Sequence, residues 1–222
     1  MRIAHLIAVP ILLLASVPAM AQDRTGVAKG DVLVRVRALM VAPTEKSGPV
    51  LPAFPGATVG VTDSYAPEVD FTYMVTDNIG TELVLATTKH HVTGRGSLDG
   101  LGRLAGTWVL PPTLTLQYHF APTAKVRPYV GAGANYTIFY STKASNSLET
   151  AVGRTRVRLK DSFGYAVQAG VDVDLTPRIF ANLDVKYIDI DTTAKLTTGG
   201  SINRVRVSLD PIVAGVGLGL RF

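Results

Sequence analysis

Cysteine is missing from all 222 residues, so no disulfide staples the fold and no thiol chemistry is on offer. After Gln22 no stretch of 18 apolar residues occurs, which leaves that part of the chain without a candidate spanning helix. A G-x-S-x-G nucleophile elbow is lacking, and no recognisable pairing of Ser with His replaces it. The carboxylates Asp184, Asp189 and Asp191 lack the spacing and the glycine of a calcium loop. Histidine is scarce. His90 and His91 are adjacent on a predicted strand, where neighbours point to opposite faces and do not readily share one metal ion. No metal, cofactor or catalytic residue is therefore expected, and the chain does not read as an enzyme.

What is present begins with an export signal. Arg2 is followed by a nearly continuous apolar run from Ile3 to Val17, and Ala19-Met20-Ala21 supplies a small-x-small cleavage pattern. Residues 1–21 are predicted to be a cleaved signal peptide, and residues 22–222 a single domain. The formal charge of +5 would suit nucleic acid, but the export signal argues against that partner. Lipopolysaccharide phosphates and anionic headgroups are the expected counter-charges.

Apolar residues make up 47% of the chain and its mean hydropathy is +0.26. Without a spanning helix, that suits either a large soluble core or a membrane domain built from alternating strands. Eight segments alternate with period two: Asp31–Val41, Glu68–Val75, Ile79–His90, Leu110–Phe120, Tyr129–Tyr140, Phe163–Leu175, Arg178–Ile190 and Arg204–Phe222. In Leu110–Phe120, for example, Leu114, Leu116, Tyr118 and Phe120 oppose Thr113, Thr115, Gln117 and His119. Short connections at Thr76-Asp77-Asn78, Ala121–Arg127 and Thr176-Pro177 alternate with long predicted loops, Ala42–Pro67, His91–Val109, Ser141–Ser162 and Asp191–Asn203. A transmembrane barrel has this asymmetry because its two rims face different compartments.

Face polarity separates lipid from water. One face of each segment is apolar with Tyr and Phe near its ends, as a lipid-facing wall with aromatic girdles requires. The other carries Arg35, Arg37, Glu82, Gln117, His119, Asn135, Gln168, Asp172, Asp184 and Lys186, which are expected to face the lumen and to narrow it by pairing. Asp172 and Asp174 share that face and are expected to meet a lumen arginine or water. A soluble lipocalin-like barrel is the rival, and it leaves the girdles unexplained. The prediction is an all-β, eight-stranded antiparallel transmembrane β-barrel of the outer-membrane type. Phe222 closes the last strand and matches the C-terminal signal read by the outer-membrane assembly machinery. Pro111, Pro112 and Pro211 interrupt strand patterns and predict bulges or breaks near the extracellular side.

The chain resembles the OmpW family of outer-membrane proteins. The segments GDVLVRVRALMVAP, NIGTELVLATTKHH, PPTLTLQYHF, RPYVGAGANYTIFY, DVKYIDIDTTA and LDPIVAGVGLGLRF carry the likeness, in the family's order. The resemblance implies an eight-stranded barrel with a narrow, rather hydrophobic lumen. It also implies passive entry of small hydrophobic molecules, with sideways exit through the wall. Its gate residues do not transfer position by position. Trp108 is a candidate gate or interfacial anchor. The alternative function is a non-transporting surface barrel whose loops contact lipopolysaccharide, host surfaces, phage or bacteriocins.

Overall fold

The computed structural model describes residues 24–222; the predicted signal peptide, residues 1–21, lies outside them. The strands are β1 (Val32–Ala42), β2 (Lys46–Ser47), β3 (Ala57–Val61), β4 (Ser64–Met74) and β5 (Ile79–Ala86). They continue as β6 (Thr88–Gly96), β7 (Arg103–Leu110), β8 (Thr113–His119), β9 (Val126–Ala144) and β10 (Thr155–Leu159). The last are β11 (Ser162–Asp174), β12 (Ile179–Ile188), β13 (Asp191–Thr198), β14 (Ser201–Ser208) and β15 (Ile212–Arg221). One short helix, α1 (Asn146–Val152), precedes β10.

Eight strands close into a barrel in the order β1-β4-β5-β8-β9-β11-β12-β15, and β15 pairs antiparallel with β1. Closure leaves no strand edge in this part of the molecule. The alternation of the sequence becomes the two faces of the wall. Val36, Leu114, Leu116, Leu183, Val216 and Leu218 point outward and are each at least 55% exposed. The charged residues between them point inward and are buried. Such an inversion is stable only when the exterior is hydrocarbon.

The short connections are tight turns of one design. Thr76 Oγ1 accepts from the Ile79 amide at 2.9 Å, and Thr176 Oγ1 accepts from the Ile179 amide at 2.9 Å. The four predicted long loops are not irregular, which corrects the sequence reading. Past the barrel, β9 continues upward with β7, β6 and β3 as one sheet, and β10, β13, β14 and β2 form another. These extensions obey period two as well: in β14, Val205 and Val207 are buried while Arg204 and Arg206 are exposed. Three predicted strands are broken where barrel passes into extension. Ile79–His90 breaks at Thr87, Leu110–Phe120 starts on Pro111-Pro112, and Arg204–Phe222 breaks across Leu209–Pro211. Proline cannot donate to the ladder.

Candidate functional site

A single strand records how the lumen is layered. The inward residues of β1 run Leu33, Arg35, Arg37, Leu39, Val41, from the short-turn end to the long-connection end. β12 repeats the pattern with Phe180, Asn182, Asp184, Lys186 and Ile188. Antiparallel pairing aligns these sequences into three layers.

The lowest layer is apolar. Leu33, Met74 and Phe180 meet Val27 from the segment preceding β1. That segment is tied across the mouth, because the Val27 amide donates to the Pro122 carbonyl at 2.6 Å and the Gly26 amide to Asp174 at 2.9 Å.

Above it lies a network of buried charges. Arg35 donates to Asp70 at 2.9 Å, to Thr72 at 2.7 Å and to Asp172 at 3.0 Å. Arg37 bonds Glu68 at 2.6 Å, Asn182 at 3.0 Å and Asp70 at 2.8 Å. Lys186 sits 2.6 Å from Asp184 and 3.4 Å from Glu68. Glu82 accepts from Gln168 at 2.7 Å and from Thr115 at 3.0 Å. Tyr129 donates to Asp184 at 2.9 Å and stacks on His119 with ring centroids 5.2 Å apart. Arg127 holds Asp174 at 2.6 Å below them. Both arginine side chains of β1 are fully buried in this layer. Buried charges paired in this way fill a lumen that eight strands leave barely wide enough for side chains.

The third layer is apolar again and reaches into the extension sheets. Leu39, Val41, Phe139, Ile188, Val207 and Val213 surround a narrow cavity of about 90 Å³, with Glu68 and Lys186 at its floor. A second cavity of about 280 Å³ lies further out, lined by Phe54, Leu98, Leu104, Leu148 and Val157 among others. Val59, Val92, Leu159, Ala194 and Val205 line both, so the two adjoin as the inner and outer parts of one apolar passage wall. His90 enters this passage. Burial pushes its imidazole below the usual range, against the pull of its hydrogen bond to the Thr62 carbonyl. With Nδ1 donating to that carbonyl at 2.8 Å, Nε2 accepts from Thr88 at 2.9 Å.

The wall beside the floor is not fully laddered. β5 pairs with β8 as far as Val84 opposite Thr113, and β6 resumes with β7 at Thr88 opposite Val109. Between them, Leu85–Thr87 and Leu110–Pro112 are not paired with each other. On its other side Ala86 pairs with Glu68, so the seam stands level with the cavity floor. Ala86 and Pro111 line the cavity there.

Of the residues singled out from sequence, Arg35, Arg37, Glu82, Gln117, His119, Gln168, Asp172, Asp184 and Lys186 lie together in the charged layer, all buried. Asn135 stands apart, behind the seam, where its amide donates to Pro111 and Pro112 carbonyls at 3.1 and 3.3 Å. Trp108 faces out of the barrel, stacked against Tyr140. Phe222 is exposed at the end of β15. Sequence reasoning passed over Glu68, Tyr129 and Arg127. Tyr129 had a signal, since it shares parity with the inward glycines of β9 and lies opposite Gly170. It also passed over the apolar passage, because most of its lining falls in segments read as loops.

An apolar band on the outside, charges inside and a closed antiparallel wall define an integral outer-membrane β-barrel, with the short turns on the periplasmic side. Comparison with known proteins narrows the class. The chain belongs to the OmpW family, whose sequence profile matches residues 28–222. It is 40% identical over 194 residues to outer membrane protein W of Escherichia coli K12, covering 87% of this chain and 89% of that protein. The crystal structure of the outer membrane protein OprG from Pseudomonas aeruginosa is similar at a TM-score of 0.85 and 33% identity, covering 90% of this chain and 99% of that one. The dibenzothiophene metabolism operon protein PahQ of Pseudomonas aeruginosa is 29% identical over 171 residues, 76% of each chain.

Proposed function

We propose that this barrel passively admits small hydrophobic molecules from outside and releases them sideways into the outer membrane, rather than acting as an enzyme. The observation that carries the reading is an apolar passage standing directly on a sealed layer of paired charges. A solute that enters from the extracellular side is solvated by side chains as far as Glu68 and Lys186. Going further would exchange that surface for buried ion pairs, which is strongly unfavourable for an apolar molecule. The seam between Leu85–Thr87 and Leu110–Pro112 is the weak part of the wall at that level. The relative PahQ, whose name ties it to the metabolism of an apolar aromatic compound, favours the same solute class. Outer-leaflet lipid, lipopolysaccharide included, is the proposed surround, and the assembly machinery the proposed reader of Phe222.

The test uses the absence of native cysteine. An Ala86→Cys, Pro111→Cys pair would bridge the seam under oxidising conditions and release it on reduction. Cells carrying this variant are expected to take up an n-alkane at the wild-type rate when reduced, and several-fold more slowly when oxidised. Equal uptake with the seam locked would refute sideways release. Equal uptake by cells with and without the wild-type gene would refute transport altogether.

A further inference from the structure

Outside the barrel, on the lipid-facing side of the β6-β7-β9 sheet, lies a cleft of about 630 Å³ that transport does not use. Register builds it. Lys89 pairs with Trp108, and Trp108 with Tyr140, so three neighbouring strands set an ammonium and two rings in one row. The Lys89 ammonium lies 5.7 Å from the centre of the Trp108 ring, whose centroid is 6.3 Å from that of Tyr140. Further outward, Gly106 pairs with His91 on one side and Lys143 on the other, leaving a floor without a side chain between them. Arg103 closes the outer end.

The cleft is uniformly cationic. Lys89, Arg103 and Lys143 line it, no carboxylate does, and among the described residues none of the three has a salt-bridge partner. His91 Nδ1 is buried beside it with no hydrogen-bond partner. Burial first, then the charges of Arg103 and Lys89, holds the His91 imidazole below its usual range. Three unpaired cations around one hollow sum to a positive potential that favours an anion there.

Height identifies the anion. Trp108 and Tyr140 are aromatic residues at the outer end of the apolar band, where rings sit at headgroup level. Lys143 is three residues beyond Tyr140 and Arg103 five beyond Trp108. At roughly 3.3 Å per residue along a strand tilted by about 40°, that is about 8 and 13 Å further out. The cations therefore span the headgroup layer and the sugar zone above it, with ring surface below them. We propose that this cleft binds the phosphorylated disaccharide headgroup of an outer-leaflet glycolipid, the lipid A part of lipopolysaccharide. Its phosphate lies among Lys89, Arg103 and Lys143, and the apolar root of its acyl chains against Trp108 and Tyr140. Arg103 offers the phosphate a two-pronged contact that an ammonium cannot. The inference rests on the outer-membrane placement and not on the transport reading, which a separate assay tests.

Trp108 is the sole tryptophan, so the emission of the folded full chain reports on this cleft alone. The protein in detergent micelles is titrated with bisphosphorylated lipid A, with dephosphorylated lipid A and with phosphatidylglycerol. A saturable emission shift is expected with the first at concentrations where the other two give little. Surface cations near anionic lipid are each worth roughly a fivefold change. The Arg103→Gln, Lys143→Gln variant should thus bind bisphosphorylated lipid A about 25-fold more weakly, with its heat-modifiable gel shift retained. Arg158→Gln, Arg204→Gln removes the same charge from exposed positions of the neighbouring sheet and should stay within about twofold of wild type. Equal responses to all three lipids, or equal losses in both double variants, would overturn the proposal in favour of unspecific charge attraction. No emission change with any lipid would overturn it outright.

Discussion

Arg35→Met puts the charged middle layer to a direct test. Arg35 is fully buried and donates to Asp70, Thr72 and Asp172 from one guanidinium. Its ring neighbours Tyr129 and Phe180, with centroids 5.5 and 5.4 Å from the guanidinium carbon, hold it from the sides. Methionine keeps most of that packing and removes the charge, which leaves Asp172 without its cation and Asp70 with Arg37 alone. Breaking a buried pair from one side costs about 3–5 kcal/mol, because the partner stays desolvated. With a guanidinium m-value of about 4 kcal/mol per molar, the unfolding midpoint of the vesicle-inserted barrel should fall by about 1 M. Adding Asp70→Asn and Asp172→Asn to Arg35→Met should restore much of the loss, since no ion is then left unpaired. Tryptophan emission and gel mobility during guanidinium titration measure both variants. A midpoint within about 0.25 M of wild type would mean that Asp70 and Asp172 are hydrated in the folded barrel. The middle layer would then be wet, and the case for a sideways route would lose its footing.

Asn135→Leu removes one of two donors to each of the Pro111 and Pro112 carbonyls, Thr113 and the Tyr136 amide remaining; the loss should be about 0.5–1.5 kcal/mol in the same unfolding titration, with local protease sensitivity rising at Leu110–Thr113. Val205 is buried between the two cavities, and Val205→Asp should reduce n-alkane uptake at least tenfold in cells whose barrel still shows the folded gel shift. His90 is held neutral in the fold, so its contribution to stability is complete above its ordinary value of 6.5 and declines as pH falls below it. Unfolding midpoints at pH 8 and pH 5 should therefore differ less in His90→Gln than in the wild type.

The barrel was legible because its signal is strictly local. Alternation depends on one residue and the next, and it assigns Val36 outward and Arg37 inward without knowledge of any partner strand. The same locality hid the rest. Which carboxylate meets which arginine depends on register between segments far apart in the chain, as with Arg35 and Asp172, which are 137 positions apart. Extension strands were read as loops for a different reason. In Arg156-Val157-Arg158-Leu159, two charges alternate with two apolar residues, a pattern as frequent in solvated loops as in short strands. Only pairing with Lys195 and Leu196 of β13 turns it into sheet. The apolar passage followed these strands out of view. Leu39 and Val41 were the available hint, since on β1 they continue the face that carries Arg35 and Arg37, so apolar residues occupy both faces at that end of the strand.

The seam is built from residues that make an interruption tolerable in lipid. A gap in a ladder exposes amide donors and carbonyl acceptors, and hydrocarbon satisfies neither. Proline is the residue that interrupts without adding an orphan donor, so Pro111 and Pro112 leave only carbonyls to be met. Those carbonyls have partners within the protein: Thr113 Oγ1 donates to Pro111 at 2.9 Å, the Tyr136 amide donates to Pro112 at 3.1 Å, and Asn135 reaches both. Across the gap, the Thr87 hydroxyl lies 3.3 Å from the Val109 carbonyl and 2.6 Å from the Tyr140 hydroxyl. Side-chain contacts thus stand where ladder bonds would be, and a hydroxyl can rotate away without shifting the backbone of either strand. At this height the two strands are joined by side-chain contacts rather than by ladder bonds. The charged layer directly beneath has the opposite character, since Arg35 and Arg37 are each fixed by several charge-assisted bonds. The contrast between a many-bonded floor and a loosely tied wall at the same level is what the proposed sideways route relies on.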